Sequence, residues 1–313
     1  MPGTHDTQGI STDGLILAVM DIAQEVGMKV ALHLEPYHGR TALTVSHDLA
    51  YIIERFGPHP ALHRTASGRG KGDTRELPVV YVYDSYRIPI REWQQVLLPM
   101  RSRSVRNSER DVFAIGLWLE AHDGDQLYEA GFDGAYTYFA SDGFTYGSTT
   151  RNWAHMAKFA AAHQMLFVPS VGPGYDDSKI RPWNRQTRRD RMGGRYYDDM
   201  WSSAVGAGAG VVSVTSYNEW GEGTQIEPAQ PRTVPLYDEE GGASEGRHTD
   251  EGASVAPGPA TLPPHLRAVL HLPLEYSSYQ PNDAYFYLNR TARWASFLAS
   301  HADDDTPTFD DEF

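Results

Sequence analysis

The chain of 313 residues contains no cysteine. That absence excludes disulfide frameworks, thiolate metal sites and cysteine nucleophiles, and leaves the redox compartment open. Also missing is any apolar run near the ~18–20 residues that span a bilayer. The opening residues, Met1-Pro2-Gly3-Thr4-His5-Asp6-Thr7, lack the basic and apolar regions of a secretory signal. No internal repeat is present. Positive charge is scarce, and the formal net charge is −14. Yet residues 238–251 and 303–313 together hold twelve acids and one base. The remaining body is therefore close to neutral, with no electrostatic case for nucleic acid or an anionic membrane.

What is present suffices for one large core, since 40% of the residues are hydrophobic. Six apolar strand candidates recur, at 28–34, 79–83, 112–119, 134–139, 165–171 and 211–217. Helical periodicity fills 14–26, 44–56, 93–101, 152–164, 197–207 and 281–299. Strands alternating with helices predict a parallel sheet built from βαβ crossovers. Each strand runs at its C-terminal end into a polar, aromatic cluster. Examples are His33-Leu34-Glu35-Pro36-Tyr37-His38, Tyr83-Asp84-Ser85-Tyr86 and Tyr136-Thr137-Tyr138-Phe139. Functional groups at many strand ends match the active face of a (β/α)8 TIM barrel. An open doubly wound sheet would gather them at one switch point. Six strands do not close such an α/β barrel, so either two strands carry no clear signal or the chain starts inside a barrel.

The strongest chemical signal is Ser216-Tyr217-Asn218-Glu219-Trp220-Gly221-Glu222-Gly223, directly after the last strand candidate. Alone, an E-x-x-E is most often a solvated acidic turn. Placed at a strand end with aromatics and glycines, Glu219 and Glu222 resemble the paired carboxylates that cleave glycosides. Other motifs are decoys. His33, Glu35 and His38 could suggest a metal site, but so short a run makes a poor coordination shell. Asp123-Gly124-Asp125 matches the D-x-D of metal-dependent glycosyltransferases, a three-residue pattern common by chance, here expected in a loop. Ala66-Ser67-Gly68-Arg69-Gly70-Lys71-Gly72-Asp73 reads as a dispensable surface excursion, lacking the context of a phosphate loop. The sequon Asn289-Arg290-Thr291 falls on the predicted closing helix, which argues against occupancy. Residues 228–272 are expected to be a disordered low-complexity insertion, and 303–313 an acidic disordered tail, leaving 1–227 and 273–302 as the barrel.

Taken together, the motifs resemble glycoside hydrolase family 99, the endo-α-1,2-mannosidases, and the animal members more closely than the bacterial ones. The carriers are His33–Tyr37, Tyr81–Tyr86, Gly131–Ala140, Gly143–Ser148, Pro169–Tyr175, Ile180–Asn184 and Asn218–Glu227. The resemblance implies a retaining endo-glycosidase on a (β/α)8 TIM barrel, of which this chain is expected to lack the first two βα units, with no metal and no cofactor. It would act as a monomer on internal α-1,2-mannosidic bonds of glucosylated high-mannose N-glycans. By position, Glu219 would be the base that draws the mannose 2-hydroxyl onto C1, giving a 1,2-anhydro sugar. Glu222 would be the acid/base. Glu35 would sit beside the reacting sugar, with Tyr83 and Tyr138 as hydroxyl partners and Arg181 and Trp183 on the leaving-group side. Each aromatic also has a competing reading as simple packing. The family resemblance further implies the Golgi lumen or membrane, although this chain shows no anchor or signal peptide. Gly221 stands where animal members carry histidine. The alternative to an active glycosidase is a truncated, non-catalytic or lectin-like fragment.

Overall fold

The computed structural model describes residues 13–69, 73–181, 183, 187–230, 233–234, 274–275 and 278–300. The expected insertion at 228–272 therefore lies largely outside the described residues, and the acidic tail wholly so. The described chain runs α1 (Asp13–Glu25), β1 (Leu32–Leu34), α2 (Ala42–Phe56), β2 (Arg64–Ala66), β3 (Glu76–Val82), α3 (Ile90–Leu97) and β4 (Phe113–Leu117). It continues through α4 (Asp123–Ala130), β5 (Gly134–Tyr136), α5 (Trp153–Ala162), β6 (Leu166–Val168), β7 (Ser170–Val171), α6 (Arg195–Gly206) and β8 (Ser213–Val214). A short antiparallel pair, β9 (Thr233–Val234) with β10 (Leu274–Glu275), precedes the closing helix α7 (Phe286–Ser300).

All six strand candidates are strands. β1, β3, β4, β5 and β6 lie side by side in parallel, and β7 continues β6 across one residue to pair with β8. Parallel neighbours in chain order, joined by helices, form the arc of a (β/α)8 barrel. β2 was not anticipated. It pairs antiparallel with the first half of β3, while β1 pairs with the second half.

β3 to β7 bury both faces, as the apolar runs predicted, while β1 and β8 are only partly buried, and the two faces make separate cores. Leu77, Val79, Phe113, Ile115, Leu117, Tyr136 and Val168 pack together on the inner side, with Tyr81, Tyr83 and Tyr138 against them. Val80, Val82, Ala114, Ala135 and Phe167 point the other way, to the helices. Gly116 lies on this helix-facing side, where a Cβ would come within 2.3 Å of the Leu127 side chain. The glycine lets α4 pack close to β4.

Helix α2 shows why its segment folds locally. Thr41 caps it, its hydroxyl accepting from Thr44 N–H while the Thr44 hydroxyl accepts from Thr41 N–H. Val45, Leu49, Ile52 and Phe56 then bury one stripe. Helix α1 is different. Met20 and Ala23 are buried, but Leu15, Val19, Ile22 and Val26 are each more than half exposed.

Two sequence expectations are corrected here. Asp123-Gly124-Asp125 opens α4 and is not in a loop. The Asp123 carboxylate accepts the backbone N–H groups of Leu119 and Glu120 at 2.8 and 2.7 Å, so its job is to close that turn. The glycine-rich stretch is also not a dispensable excursion. Arg69 reaches beneath the sheet and bonds both carboxylate oxygens of Asp111, both of Asp133 and the Val112 carbonyl. Arg106 shares both carboxylates. The side chains of Asp111, Asp133 and Arg106 are 1, 6 and 3% exposed. This network ties the entries of β4 and β5 together, at the opposite ends of the strands from the candidate site. On α7, Thr291 of the sequon bonds Tyr197 and the Tyr287 carbonyl, and Arg290 pairs with Asp198.

Candidate functional site

The period of two along a strand decides which side chains meet. Register pairs His33 with Tyr81, Leu117 with Tyr136, and Tyr136 with Val168. The residues at 33 and 35, 81 and 83, and 136 and 138 therefore project to the inner side at the C-terminal strand ends. His33 is ringed by four tyrosines there. Its ring centroid lies 6.4 Å from Tyr81, 5.5 Å from Tyr83, 5.7 Å from Tyr136 and 5.9 Å from Tyr138. Its Nδ1 lies 2.8 Å from Glu35 Oε1 and its Nε2 2.7 Å from the Tyr136 hydroxyl. Both ring nitrogens thus have a side-chain partner. Tyr83 and Tyr138 pack at 4.7 Å between centroids. Arg40 donates to the carbonyls of Tyr83 and Asp84, both at 2.7 Å, and so fixes the β3 exit.

Tyr138 is the hub. It holds φ of +59°, a left-handed conformation that costs a non-glycine residue roughly 1–3 kcal/mol and persists only where its surroundings over-determine it. They do. Tyr138 N–H donates to Ser170 Oγ at 2.6 Å, and the Thr215 hydroxyl donates to the Tyr138 carbonyl at 2.5 Å. Ser170 Oγ in turn lies 2.6 Å from Ser213 Oγ. Small hydroxylated residues at the ends of β7 and β8 thereby turn the phenol inward. Its pKa is pushed up to about 12, first by burial and then by the negative charges of Glu222, Glu35 and Glu219. All three candidate carboxylates thus act on one phenol.

The two glutamates after β8 sit on a loop that folds back on itself. Ser216 N–H donates to the Thr224 carbonyl, Glu219 N–H to Ser216 Oγ, and Thr224 N–H to the Glu219 carbonyl. Trp220 Nε1 donates to Glu227 at 2.8 Å. Gly223 holds φ of +63° with Asp176 backbone atoms 3.2 Å from where a Cβ would stand, so glycine suits that corner. The loop presents Glu219 to solvent and keeps the Glu222 side chain 20% exposed. Arg181 Nη1 bonds Glu222 Oε1 at 2.8 Å and Asp177 Oδ2 at 3.1 Å. The Tyr175 hydroxyl also donates to Asp177. Burial and then the Glu222 charge push the Tyr175 phenol well above its ordinary range. The hydrogen bond to Glu222 likewise holds the Arg181 guanidinium above its ordinary value.

Of the residues expected from sequence, Glu35, Tyr83 and Tyr138 meet directly around the inner-face cluster, and Arg181 joins Glu222 beside it. Trp183 is placed in the open, 80% exposed. Gly221 is partly exposed, and a Cβ there would meet only the tip of Ile180 at 3.3 Å. Sequence reasoning did not assign a role to Tyr136, Tyr175 or Asp177. Tyr136 was detectable, since the strand candidate at 134–139 places it two residues before Tyr138, although β5 ends at Tyr136 and Tyr138 lies just beyond it.

The arrangement combines ionisable groups, phenols and a guanidinium at the C-terminal ends of parallel strands, the mixture that reads sugar hydroxyls. Comparison with known proteins agrees. The model of glycosyl hydrolase family 99 matches residues 4–239. The chain is 42% identical over 234 residues to a glycoprotein endo-alpha-1,2-mannosidase-like protein of Mus musculus, covering 75% of this chain and 51% of the relative. It is 42% identical over 231 residues to the mouse glycoprotein endo-alpha-1,2-mannosidase, covering 74% and 49%. A solved GH99 endo-alpha-mannosidase of Bacteroides thetaiotaomicron superposes with a TM-score of 0.74 at 38% identity, covering 91% of this chain and 75% of that one. The chain thus spans about half the length of the mouse relatives it matches. The chain belongs to glycosyl hydrolase family 99.

Proposed function

We propose that this chain carries the catalytic face of a retaining endo-glycosidase that cleaves internal α-1,2-mannosidic bonds in glucosylated high-mannose N-glycans. The observation that supports it best is the gathering of Tyr83, Tyr138 and the His33–Glu35 pair at the C-terminal strand ends, with Arg181 bonded to Glu222. Glu219 takes the proton of the mannose 2-hydroxyl as O2 attacks C1. Glu222 gives a proton to the departing glycosidic oxygen, leaving a 1,2-anhydro sugar. Glu222 then takes a proton from water as that water attacks C1 and the C1–O2 bond opens. Glu219 returns its proton to O2. Two inversions at C1 give net retention without a covalent glycosyl-enzyme, so carboxylate separation does not report the stereochemistry as it does in common glycosidases. Arg181 engages the leaving-group side, Tyr83, Tyr138 and Glu35 hold sugar hydroxyls, and Trp183 offers an exposed face to the sugars beyond the cleaved bond.

The test is release of a glucosyl-mannose disaccharide from glucosylated high-mannose glycan, with the α-anomer forming first. Glu222→Gln and Glu219→Gln should each cut turnover by about 10²–10⁴-fold, the usual worth of general acid–base catalysis. Turnover that survives either change would defeat the assignment. We further propose that the protein works as a monomer in the Golgi lumen. Light scattering on the purified chain and imaging of the full-length protein test those two points. A second reading, glycan binding without cleavage, is favoured by the exposed Trp183 and the paired Tyr83 and Tyr138, aromatic groups of the kind that line sugar sites. Saturable glycan binding with no product from the same preparation would establish it.

A further inference from the structure

We infer that His33 is a positioning residue, clamped between Tyr136 and Glu35 so that it fixes the Glu35 carboxylate against a sugar hydroxyl. The inference rests on the reading of the site as a mannoside-binding one. It assigns a role to a residue that the chemistry above does not use.

Glu35 needs help. Its side chain is 65% exposed. A free glutamate on a strand exit samples many rotamers, and holding it in one of them costs side-chain entropy. His33 is the group that holds it, with Nδ1 2.8 Å from Oε1. His33 is itself immobilised. Its plane lies 19° from that of Tyr138, in stacked contact, and 87° from that of Tyr136, edge-on. The Tyr136 hydroxyl closes the chain at 2.7 Å from Nε2. Tyr136 is only 3% exposed and packs in the inner core, so it is the fixed end. The links thus run from a rigid core phenol, through an imidazole bonded at both nitrogens, to an exposed carboxylate.

The proton inventory gives the chain a direction. An ionised Glu35 accepts only, so Nδ1 must carry a hydrogen. Burial, followed by neighbouring phenols and the Glu35 charge, pushes the Tyr136 phenol far above its ordinary range, so it keeps its proton. In the neutral imidazole, Tyr136 O–H donates to Nε2 and Nδ1–H donates to Glu35. The core phenol therefore selects the tautomer that orients the carboxylate, the way an outer partner sets the tautomer of a working histidine.

The test uses the full chain, with turnover of glucosylated high-mannose glycan and long-range proton–nitrogen NMR of the histidine rings. His33→Asn keeps an amide donor near the Nδ1 position, whereas His33→Gln keeps only the position that meets Tyr136. We expect His33→Gln to lose about tenfold to a hundredfold in kcat/KM, the scale of a misplaced contact. His33→Asn should recover most of that loss. Combining His33→Gln with Glu35→Gln should lose no more than Glu35→Gln alone, because the two act as one unit. Free wild-type protein should show His33 with its proton on Nδ1, and Tyr136→Phe should release that preference. A His33 bearing its only proton on Nε2 overturns the inference whatever the activity. So does wild-type turnover that His33→Gln leaves unchanged, which would leave the glycosidase reading standing. Absence of any wild-type turnover or glycan binding would remove both.

Discussion

Replacing Arg106 by methionine tests whether the ion network beneath the sheet holds the arc together. The Arg106 side chain is 3% exposed and its three nitrogens make five hydrogen bonds. Three go to the carbonyls of Leu97, Val112 and Gly131, and two to Asp111 and Asp133. Methionine fills much of the stem volume but leaves two buried carboxylates with one fewer cation. Breaking a buried pair in this way costs about 3–5 kcal/mol. Arg69 still reaches Asp111, Asp133 and the Val112 carbonyl, which places the expectation at the lower end, about 3 kcal/mol. For a body of this size that is about 6–12 °C in Tm, at ~2–4 °C per kcal/mol. Urea unfolding followed by circular dichroism measures it, as a fall in the midpoint with the slope unchanged. The control is Arg195→Ala, whose pair with Asp199 spans 3.9 Å between side chains 75 and 68% exposed. It should change stability by less than about 0.5 kcal/mol. If Arg106→Met costs less than about 1 kcal/mol, the network is not what ties β4 to β5.

Acid should expose the same network. Burial alone would raise the Asp111 carboxyl, but hydrogen bonds from Arg69 and Asn107 N–H, with the Arg69 and Arg106 charges, hold it below its ordinary value. A depressed carboxyl contributes stability that is complete above its unfolded pKa, about 3.9, and is lost as pH falls through the folded value. Urea midpoints measured from pH 7 down to 3 should therefore fall mainly below about pH 4, and Asp111→Asn should flatten that fall. Gly131→Ala should destabilise by at least about 1–3 kcal/mol, since Gly131 holds φ of +92° and a Cβ would stand 2.6 Å from the Leu97 carbonyl oxygen. Thermal melts check it. The double change Leu15→Lys, Ile22→Lys on α1 touches side chains 64 and 60% exposed, so it should leave Tm nearly unchanged in the same melts.

Much of the scaffold was legible because it follows from periodicity. The six apolar runs read as strands, and those of β3 to β7 are buried on both faces, while helical patterns carried apolar stripes such as Val45, Leu49, Ile52 and Phe56. Helix α4 escaped because its eight residues carry three acids and one glycine, and its stability comes from Gly131 and from the packing of Leu127, not from its own pattern. β2 escaped for a related reason. Three residues with alternating exposure, Arg64–Ala66, have no strand signal until β3 offers its edge. Arg69 shows the harder limit. A cation among glycines reads as solvent-facing, and only the fold reveals two carboxylates 42 and 64 residues away in sequence, aimed at the same point.

The site divides along the same line. Glu219, Glu222 and Glu35 are visible in the sequence because they sit in motifs at strand ends, where chemistry collects. Their relation to each other is not visible, since it depends on how strands from four βα units are brought round one axis. Yet a rule internal to the sequence narrows it. In extended chain, residues two apart share a face, so Glu35 implies His33, whereas Tyr138 lies past the end of β5 and is turned inward by Ser170 and Thr215. Tyr136 and His33 then meet because β1, β3, β4 and β5 are consecutive neighbours in register. The carboxylate that should touch sugar is thus tied to a phenol three strands away by parity and strand order. That link places part of the site's precision in the packed inner core and not in the exposed loops that carry Glu219 and Trp183.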